Sequence, residues 1–264
     1  MDYSNIKVVE SAAFRRTKLQ KAEFSQLTSI ADYTFAGTQI SSINMPLLKN
    51  IGSGALSGCK FIDIDLPGVQ SIGSGAFAEN KLLSAVNLPD LTSIGTGYYG
   101  AFGFCDKLLS IELPHLKSFA GLQYNSMLCI VAPEATSIAN YAFQNCSNLI
   151  CVDVSQATSV GDYAFERCIA LSSIVLPKAS SIGNGVFEDC SCASEIKIPA
   201  VLSLHYNDFK GCSALTSLEF EKLKEADSEA FNYTALREIT LPSTLTCLHM
   251  NAFNYGYTDW DERK

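Results

Sequence analysis

Cysteine is the residue type in this chain with the widest chemistry, because ten thiols could form disulfides, bind a metal ion or act as nucleophiles. Six of them occupy one position of a recurring pattern, three residues after a large apolar residue: Cys59, Cys105, Cys146, Cys168, Cys190 and Cys212. A thiol at a fixed point of a repeat is typical of a buried column, since free cysteine packs as a small apolar side chain. No Cys-x-x-Cys pair or histidine-rich spacing indicates a zinc site. We therefore expect neither a metal site nor a cofactor.

Two other cysteines, Cys129 and Cys151, lie one period of the same pattern apart, and each precedes an apolar residue that should point into a core. This spacing predicts that they are neighbours on the outward face of a sheet. A disulfide fits there because adjacent strands bring Cα atoms to roughly 5 Å from one another. Two separate thiols are the alternative, and the sequence alone does not choose between the two states.

Groups suited to catalysis are few. The histidines His115, His205 and His249 are far apart in the chain, and none lies in a Ser, Cys or metal motif. Asp63 and Asp65 could act as paired carboxylates, but on a flat sheet face they are better explained as exposed charge. The glycines fall at repeat turns rather than in a phosphate-binding loop. We expect no enzymatic activity.

Charge and hydropathy narrow the classes of partner. The formal net charge of −8 argues against binding to nucleic acid or to an acidic membrane surface, because both require clustered Lys and Arg. Hydrophobic residues make up 47% of the chain, which is ample for a continuous core. No stretch approaches the roughly 18 apolar residues of a membrane helix. The N-terminus lacks a basic region followed by an apolar run, so neither a transmembrane segment nor a signal peptide is expected in this chain.

The elements that position these residues follow from a repeat that runs through the chain. A small residue followed by phenylalanine recurs, with Leu56 in the third copy. The phenylalanines of this motif are Phe14, Phe35, Phe77, Phe102, Phe143, Phe165, Phe187, Phe209, Phe231 and Phe253. An apolar residue followed by Pro, and a Ser-Ile-Gly sequence, recur in the same phase. From Phe143 onward the spacing is constant, and a fixed period of about 22 residues is typical of a solenoid.

One copy, from Leu171 to Cys190, shows how a single coil should fold. Ile174 and Leu176 are two residues apart, so they point the same way from a short strand, which Pro177 then ends. A second extended piece carries Ser-Ile, and one helical or 3-10 turn should bury the phenylalanine. We predict an α/β leucine-rich repeat solenoid of about 11 coils, each of roughly 21–22 residues. These coils should form a single domain over residues 1–264.

The pattern resembles the BspA-like leucine-rich repeats of surface proteins from bacteria and some protists, since Pro, Gly, Phe and Cys fall at the positions of that family over nearly the whole chain. The resemblance implies a curved solenoid with a strand sheet on one face. It also implies adhesion to host proteins or other cells, and hence an extracellular or cell-surface location. It supplies no catalytic residues.

The repeat is interrupted in two places and at both ends. The step from Phe77 to Phe102 is longer than the others, with the surplus at 97–100, and Tyr98 and Tyr99 there form either a contact loop or rings folded onto the coil. The next span contains one shortened coil in which Tyr124 should take the phenylalanine place. Residues 254–264 are predicted to cap the last coil. The N-terminal coil has no such cap in this sequence, so we expect either a longer chain upstream or a partner to cover it.

The outward positions of the strands define an open sheet face, which either binds a ligand or is simply solvated. The candidate binding residues are Asp63, Asp65, Asn87, Tyr98, Tyr99, Glu112, Asp153, Glu195, Glu219 and Glu238. The leading hypothesis is a non-catalytic module that binds a protein or a host or cell-surface ligand. The alternatives are a structural spacer and an intracellular interaction scaffold, which reduced cysteines would suit.

Overall fold

The computed structural model describes residue 3 and residues 5–97 and 100–253, which form a stack of coils with two strands in each coil. The three-residue strands are β1 (Lys21–Glu23), β3 (Ser42–Asn44), β5 (Asp63–Asp65), β7 (Ala85–Asn87), β9 (Ser110–Glu112), β11 (Cys129–Val131), β13 (Cys151–Asp153), β15 (Ser173–Val175), β17 (Glu195–Lys197), β19 (Ser217–Glu219) and β21 (Glu238–Thr240). The two-residue strands are β2 (Ser29–Ile30), β4 (Asn50–Ile51), β6 (Ser71–Ile72), β8 (Ser93–Ile94), β10 (Ser118–Phe119), β12 (Ser137–Ile138), β14 (Ser159–Val160), β16 (Ser181–Ile182), β18 (Ser203–Leu204), β20 (Glu225–Ala226) and β22 (Cys247–Leu248).

Every strand pairs in parallel with the equivalent strand of a neighbouring coil. The two-residue strands form one sheet of eight, β2 to β16, and one of three, β18-β20-β22. The three-residue strands form five smaller sheets: β1-β3, β5-β7, β9-β11-β13, β15-β17 and β19-β21. The strands of successive coils thus follow one another in order along the stack, which confirms the predicted leucine-rich repeat solenoid.

The core lies between the two rows of strands. The middle residue of each three-residue strand faces inward, as at Ile64, Ile130 and Ile174, while its two neighbours face outward. The second residue of most two-residue strands is buried in the same core, as at Ile72 and Ile182. Since a coil this thin has no interior of its own, the core exists only between stacked coils.

The repeated phenylalanines form a third column, along the turn that follows each two-residue strand. Successive rings from Phe143 through Phe165, Phe187 and Phe209 to Phe231 stack with centroids 4.9–5.7 Å apart and planes within 18° of parallel. The rings repeat at the spacing of the coils because each occupies the same place in its turn. Full burial of a ring this large is a principal source of coil-to-coil stability.

The turn that carries the phenylalanine is not helical, which corrects the predicted helical or 3-10 turn and the α/β class. None of the described residues lies in a helix. Tyr163 and Arg167, which flank Phe165, have φ of 54° and 57°, and L-residues in this left-handed region cannot continue a right-handed helix. The amides of Tyr163, Phe165 and Arg167 donate instead to carbonyls of the next coil, at Asn184, Val186 and Glu188 respectively.

The irregular coils compensate for each other. Ser118 pairs with Ser93 in the preceding coil and with Ser137 in the following coil. The step from Ser93 to Ser118 is longer than the regular one, and the step from Ser118 to Ser137 is shorter by the same amount. The two steps together therefore equal two regular steps, and the strands beyond Ser137 return to the common register.

The shortened coil places a leucine where a phenylalanine was expected. Leu122, rather than Tyr124, fills the phenylalanine place, because Leu122 is fully buried and its amide donates to Ala142 O at 2.9 Å. Tyr124 lies two residues further along the turn, and its amide donates to Gln144 O. The prediction for Tyr124 is therefore wrong.

The first coil at the N-terminal end is partly covered by an aromatic ring. At the N-terminal end, the ring of Tyr3 stacks on Phe24 at 5.0 Å and meets Phe14 edge-on at 6.4 Å, so the first core rings are partly covered. Residues 254–264, predicted to cap the other end, lie outside the described residues. Among the described residues there is no helix with the length and apolar character needed to cross a bilayer.

We expect Phe165→Ala to lower the free energy of unfolding by about 3–5 kcal/mol, because it leaves a cavity between two stacked rings. Urea denaturation followed by circular dichroism measures the loss. Phe165→Leu is the matched control and should lose only roughly 1–2 kcal/mol, since Leu56 and Leu122 occupy this place naturally. Equal losses for both variants would contradict a role for the ring itself.

Candidate functional site

The six in-phase cysteines form the predicted buried column, and each thiol has a specific hydrogen-bond acceptor. All six are free and buried. Each sulfur lies 3.0–3.3 Å from a carbonyl oxygen of the preceding coil: Cys59 with Phe35, Cys105 with Phe77, Cys146 with Leu122, Cys168 with Phe143, Cys190 with Phe165 and Cys212 with Phe187. The thiol therefore serves as a small donor to a buried backbone acceptor as well as an apolar filler.

Other coils place a different donor at the same position, which supports this interpretation. Thr17 and Thr234 donate from their hydroxyls to the carbonyl of the phenylalanine three residues earlier, and Asn80 donates from its amide to Leu56 O and Phe77 O. Burial raises the pKa of the column thiols. A buried, protonated thiol is a poor nucleophile and a poor metal ligand, so the column has a structural role.

Cys129 and Cys151 are joined by a disulfide across β11 and β13, which decides between the two states that the sequence left open. The two residues are direct partners in the strand register, and their Cα atoms are 4.7 Å apart. This separation falls within the range that disulfides require. The bond fixes two neighbouring coils to each other on the open sheet face.

The predicted binding residues on the strands all lie on the exposed face of the three-residue strands, as expected. They are Asp63, Asp65, Asn87, Glu112, Asp153, Glu195, Glu219 and Glu238. Tyr98 and Tyr99 lie outside the described residues. Among the eight, Asp65 and Asn87 are register partners joined by a 2.8 Å hydrogen bond from the amide to the carboxylate. The others are distributed along the stack, so the structure supplies a surface and not a single pocket.

Along this face the charge is mostly negative, and the outward residues of the three-residue strands include two lysines, Lys21 and Lys197. Glu112 and Asp153 flank Val131 in the register of β9, β11 and β13. Lys197 pairs with Glu195 on the same strand at 2.5 Å, and that contact raises the pKa of the lysine. The acidic groups of β9 and β13 thus face solvent on either side of an apolar side chain.

An exposed apolar cluster, which we call the aliphatic patch, lies on the same coils. It consists of Leu109, Leu128, Val131 and Ile150. The residue just before each three-residue strand is Ser84, Ser172, Ser194 or Thr216 in flanking coils, but leucine or isoleucine in three successive coils here. Leu128 N donates to Leu109 O and Ile150 N to Leu128 O, so the three residues are adjacent.

The patch is a feature that reasoning from the sequence missed. Leu109, Leu128 and Ile150 are 49%, 37% and 50% exposed, whereas leucine and isoleucine elsewhere in the repeat are mainly core residues. Contiguous exposed apolar side chains are typical of interaction surfaces. The signal in the sequence was the replacement of Ser by Leu or Ile at one repeat position in consecutive coils.

A cleft opens near the irregular coils, at the turns. It has a volume of about 680 Å³ and is lined by Thr96, Gly97, Gln123, Tyr124, Ala139, Asn140, Tyr141 and Gln144. Gln123 donates from its amide to Gly97 O at 2.7 Å, which ties the long coil to the short one beside the cleft. Tyr141 stacks on Tyr163 with ring centroids 5.6 Å apart. The cleft therefore lies where the long coil and the short coil meet.

The last two coils bring three potential metal ligands together. Glu225, Cys247 and His249 are exposed, and their ligand atoms lie within 4.8 Å of one another. Glu225 Oε1 lies 2.8 Å from His249 Nε2, and this contact raises the pKa of the imidazole. In the sequence this cluster appears as Cys-x-His at 247–249, with Glu225 one repeat earlier. Known zinc-motif spacings do not include this pattern, so it was missed from the sequence alone.

Comparison with protein families places the repeat in a known group. The model of the BspA type leucine rich repeat region matches residues 7–127 and 136–258, with six copies. These ranges cover nearly all of the chain. The gap between them, residues 128–135, contains Leu128 and Val131 of the aliphatic patch. No curated protein is similar enough to the chain to match it.

Solved structures share the fold at low sequence identity. A leucine-rich repeat protein from Bacteroides ovatus is 24% identical, with a TM-score of 0.62 over 93% of this chain and 73% of that one. One from Eubacterium ventriosum is 22% identical, with a TM-score of 0.57 over 93% and 79%. A leucine rich cell surface protein from Faecalibacterium prausnitzii is 20% identical, with a TM-score of 0.52 over 92% and 83%. These likenesses establish the solenoid architecture.

We expect a thiol reagent applied to the native protein without reductant to label only Cys192 and Cys247, because these are the two exposed free cysteines. Denaturation should raise the number of labelled thiols from two to eight, and reduction should raise it to ten. Mass spectrometry of peptides locates each label. Labelling of any column cysteine in the native state would contradict its burial, and four native labels would indicate a reduced Cys129–Cys151 pair.

We also expect the protein to lose stability as the pH rises above about 9. Burial raises the pKa of Cys105, Cys146 and Cys190 from 9.0 to about 12. Between these two values the unfolded chain releases the thiol protons while the folded chain retains them. Each thiol therefore lowers the free energy of unfolding by up to roughly 1.4 kcal/mol per pH unit. Urea denaturation at a series of pH values on either side of the unfolded pKa measures this slope.

The matched control for the alkaline slope replaces Cys105, Cys146 and Cys190 with threonine, the donor that other coils use at this position. Lysine and tyrosine titrations are common to both proteins, so the difference in slope isolates the thiols. The triple variant should lose stability less steeply. An unchanged slope would contradict the buried, protonated state of these thiols.

Proposed function

Because the chain belongs to the BspA type leucine-rich repeat family, we propose that it is a non-catalytic protein-binding module, displayed on a cell surface or secreted, which uses its open sheet face for adhesion. Leucine-rich repeat solenoids generally serve as protein-interaction modules, since stacked coils present a long continuous surface. The proposal specifies which part of that surface makes the contact and in which compartment it operates.

The observation that carries the proposal is the aliphatic patch. Exposed leucine and isoleucine side chains in three adjacent coils have no role in the core, because the core of those coils is filled by Leu108, Ile130 and Leu149. Serine or threonine meets the structural demands of the same position in flanking coils. A ligand that buries the patch would recover the hydrophobic free energy that the free protein lacks.

The surroundings of the patch indicate the chemistry of its partner. Glu112 and Asp153 flank Val131 in the strand register, so acidic side chains border the patch at Val131. An apolar centre with a charged rim is the usual anatomy of a protein interface. The complementary surface is an apolar one bordered by Lys or Arg, whose positive charge would speed association.

Two findings support a location outside the cytoplasm. The Cys129–Cys151 disulfide lies on the exposed face, and disulfides persist mainly in oxidising compartments. The structural neighbour from Faecalibacterium prausnitzii is described as a leucine rich cell surface protein. The eight free cysteines do not favour the intracellular alternative, because six of them are buried and hydrogen-bonded.

The test replaces Leu109, Leu128 and Ile150 together with serine, the residue that flanking coils carry. Each change should alter stability by roughly 0.5 kcal/mol or less, because the side chains are exposed. Surface plasmon resonance against a panel of purified extracellular and cell-surface proteins measures binding. We expect saturable binding of the unchanged protein to at least one of them, and a loss of about tenfold or more in the variant.

Ile62→Ser is the matched control, because Ile62 occupies the same repeat position in another coil and is 62% exposed. It should leave binding unchanged. Binding that survives the triple substitution would show that the patch is not the contact surface. No binding by the unchanged protein would favour the structural spacer, and a reduced Cys129–Cys151 pair in protein isolated from its source would favour the intracellular scaffold.

A further inference from the structure

The strands of the last two coils depart from the repeat in a coordinated way. Most earlier coils place Ser-Ile-Gly or a close variant here, as at 71–73 and 181–183. The coil at 203–205 has Ser-Leu-His, and the two coils after it have Glu-Ala-Asp at 225–227 and Cys-Leu-His at 247–249. Neither core packing nor turn geometry calls for these replacements, since serine and glycine meet both demands elsewhere. The substitutions place a carboxylate, a thiol and an imidazole on two adjacent coils, and of these only the imidazole has a counterpart in an earlier coil, at His205.

The strand register brings the three groups onto one surface. Glu225 pairs with Cys247 across β20 and β22, and His249 N donates to Ala226 O at 2.9 Å, so the ladder continues one residue beyond β22. Cys247 and His249 are two residues apart on extended backbone, and alternation therefore points both side chains to the same side. Backbone pairing, rather than chance side-chain conformations, fixes the arrangement.

We propose that Glu225, Cys247 and His249 form a zinc-binding site that links the last two coils of the solenoid. Zinc binds thiolate, imidazole and carboxylate together, and sites of three protein ligands leave the fourth position to water. In a tetrahedral zinc site the ligand atoms stand roughly 3.2–3.6 Å apart. The three ligand atoms here already lie within 4.8 Å of one another, so small rotamer changes suffice.

The ligand set selects zinc over other abundant divalent cations. Calcium and magnesium prefer oxygen ligands and gain little from a thiol or an imidazole. The His249 and Glu225 side chains are joined by a 2.8 Å hydrogen bond. The zinc ion would take the place of the proton between them and would also displace the proton of the Cys247 thiol.

Zinc would stabilise the last two coils that the structure describes, by adding a link to the strand ladder and the core that already join them. Leu248, which occupies a position that is buried in earlier coils such as at Ile72 and Ile182, is 48% exposed. Among the described residues, the coil of β22 therefore has less of its apolar surface covered at this position than those earlier coils. A metal that binds only the folded arrangement raises the unfolding temperature increasingly as its concentration exceeds the dissociation constant.

The test uses the full chain with its disulfide intact, under anaerobic conditions without thiol reductant. Cobalt(II) serves as the spectroscopic probe, and we expect one equivalent per chain, with a thiolate-to-cobalt charge-transfer band that zinc abolishes by displacement. Zinc should also raise the melting temperature measured by circular dichroism. Absence of the band, with no change in melting temperature, would overturn the proposal.

Matched variants locate the site. Cys247→Ser should abolish the band. Cys247→Ser or His249→Gln should weaken zinc binding at least about tenfold in calorimetry, because loss of a direct ligand should cost no less than the loss of a residue that only orients one. Cys192→Ser is the control, because Cys192 is the other exposed free thiol, and it should leave the band unchanged. Binding that survives Cys247→Ser, or that Cys192→Ser abolishes, would place the metal elsewhere. These residues lie outside the aliphatic patch, so the result is independent of the adhesion experiment.

Discussion

The in-register stacking of coils is the constraint on which the rest of this structure depends. A coil of about 22 residues is too thin to bury its own leucine, isoleucine and phenylalanine side chains, so each coil must cover its neighbours. The backbone adds a second demand, because amides and carbonyls at the core must be paired. The two rows of parallel strands pair the backbone groups on two sides of each coil. On the third side, amides of the phenylalanine turn donate to carbonyls of the next coil.

This constraint explains two features of the turn that look unusual in isolation. Left-handed residues on both sides of the phenylalanine direct alternate amides toward the next coil, which a helix could not do because its amides bond within the helix. The cysteine three residues later adds a donor in the opposite direction, to a buried carbonyl of the preceding coil, as from Cys190 to Phe165 O. Both features therefore serve the joining of coils rather than any chemistry of the thiol.

The same constraint separates positions that must be kept from positions that can change. An inward residue contacts the coils above and below it, so changing it disturbs both, whereas an outward residue contacts mainly solvent. The aliphatic patch and the Glu225, Cys247 and His249 cluster both arise at outward positions, where Ser or Gly would fold equally well. The long and short steps on either side of Ser118 show the limit of this freedom, because the surplus in one coil is removed in the next and the stack regains its register.

The sequence by itself determined the solenoid, its period, its core residues and the outward positions of the strands, because the same pattern of inward and outward residues recurs in nearly every coil. It could not determine the shape of the turn, since the left-handed conformation at Tyr163 and Arg167 is imposed by hydrogen bonds to the next coil. It placed Tyr124 wrongly because the short coil admits two alignments, and only burial selects Leu122. The patch and the three-ligand cluster likewise needed tertiary structure, because their residues lie one repeat apart in sequence and become neighbours only when the coils stack.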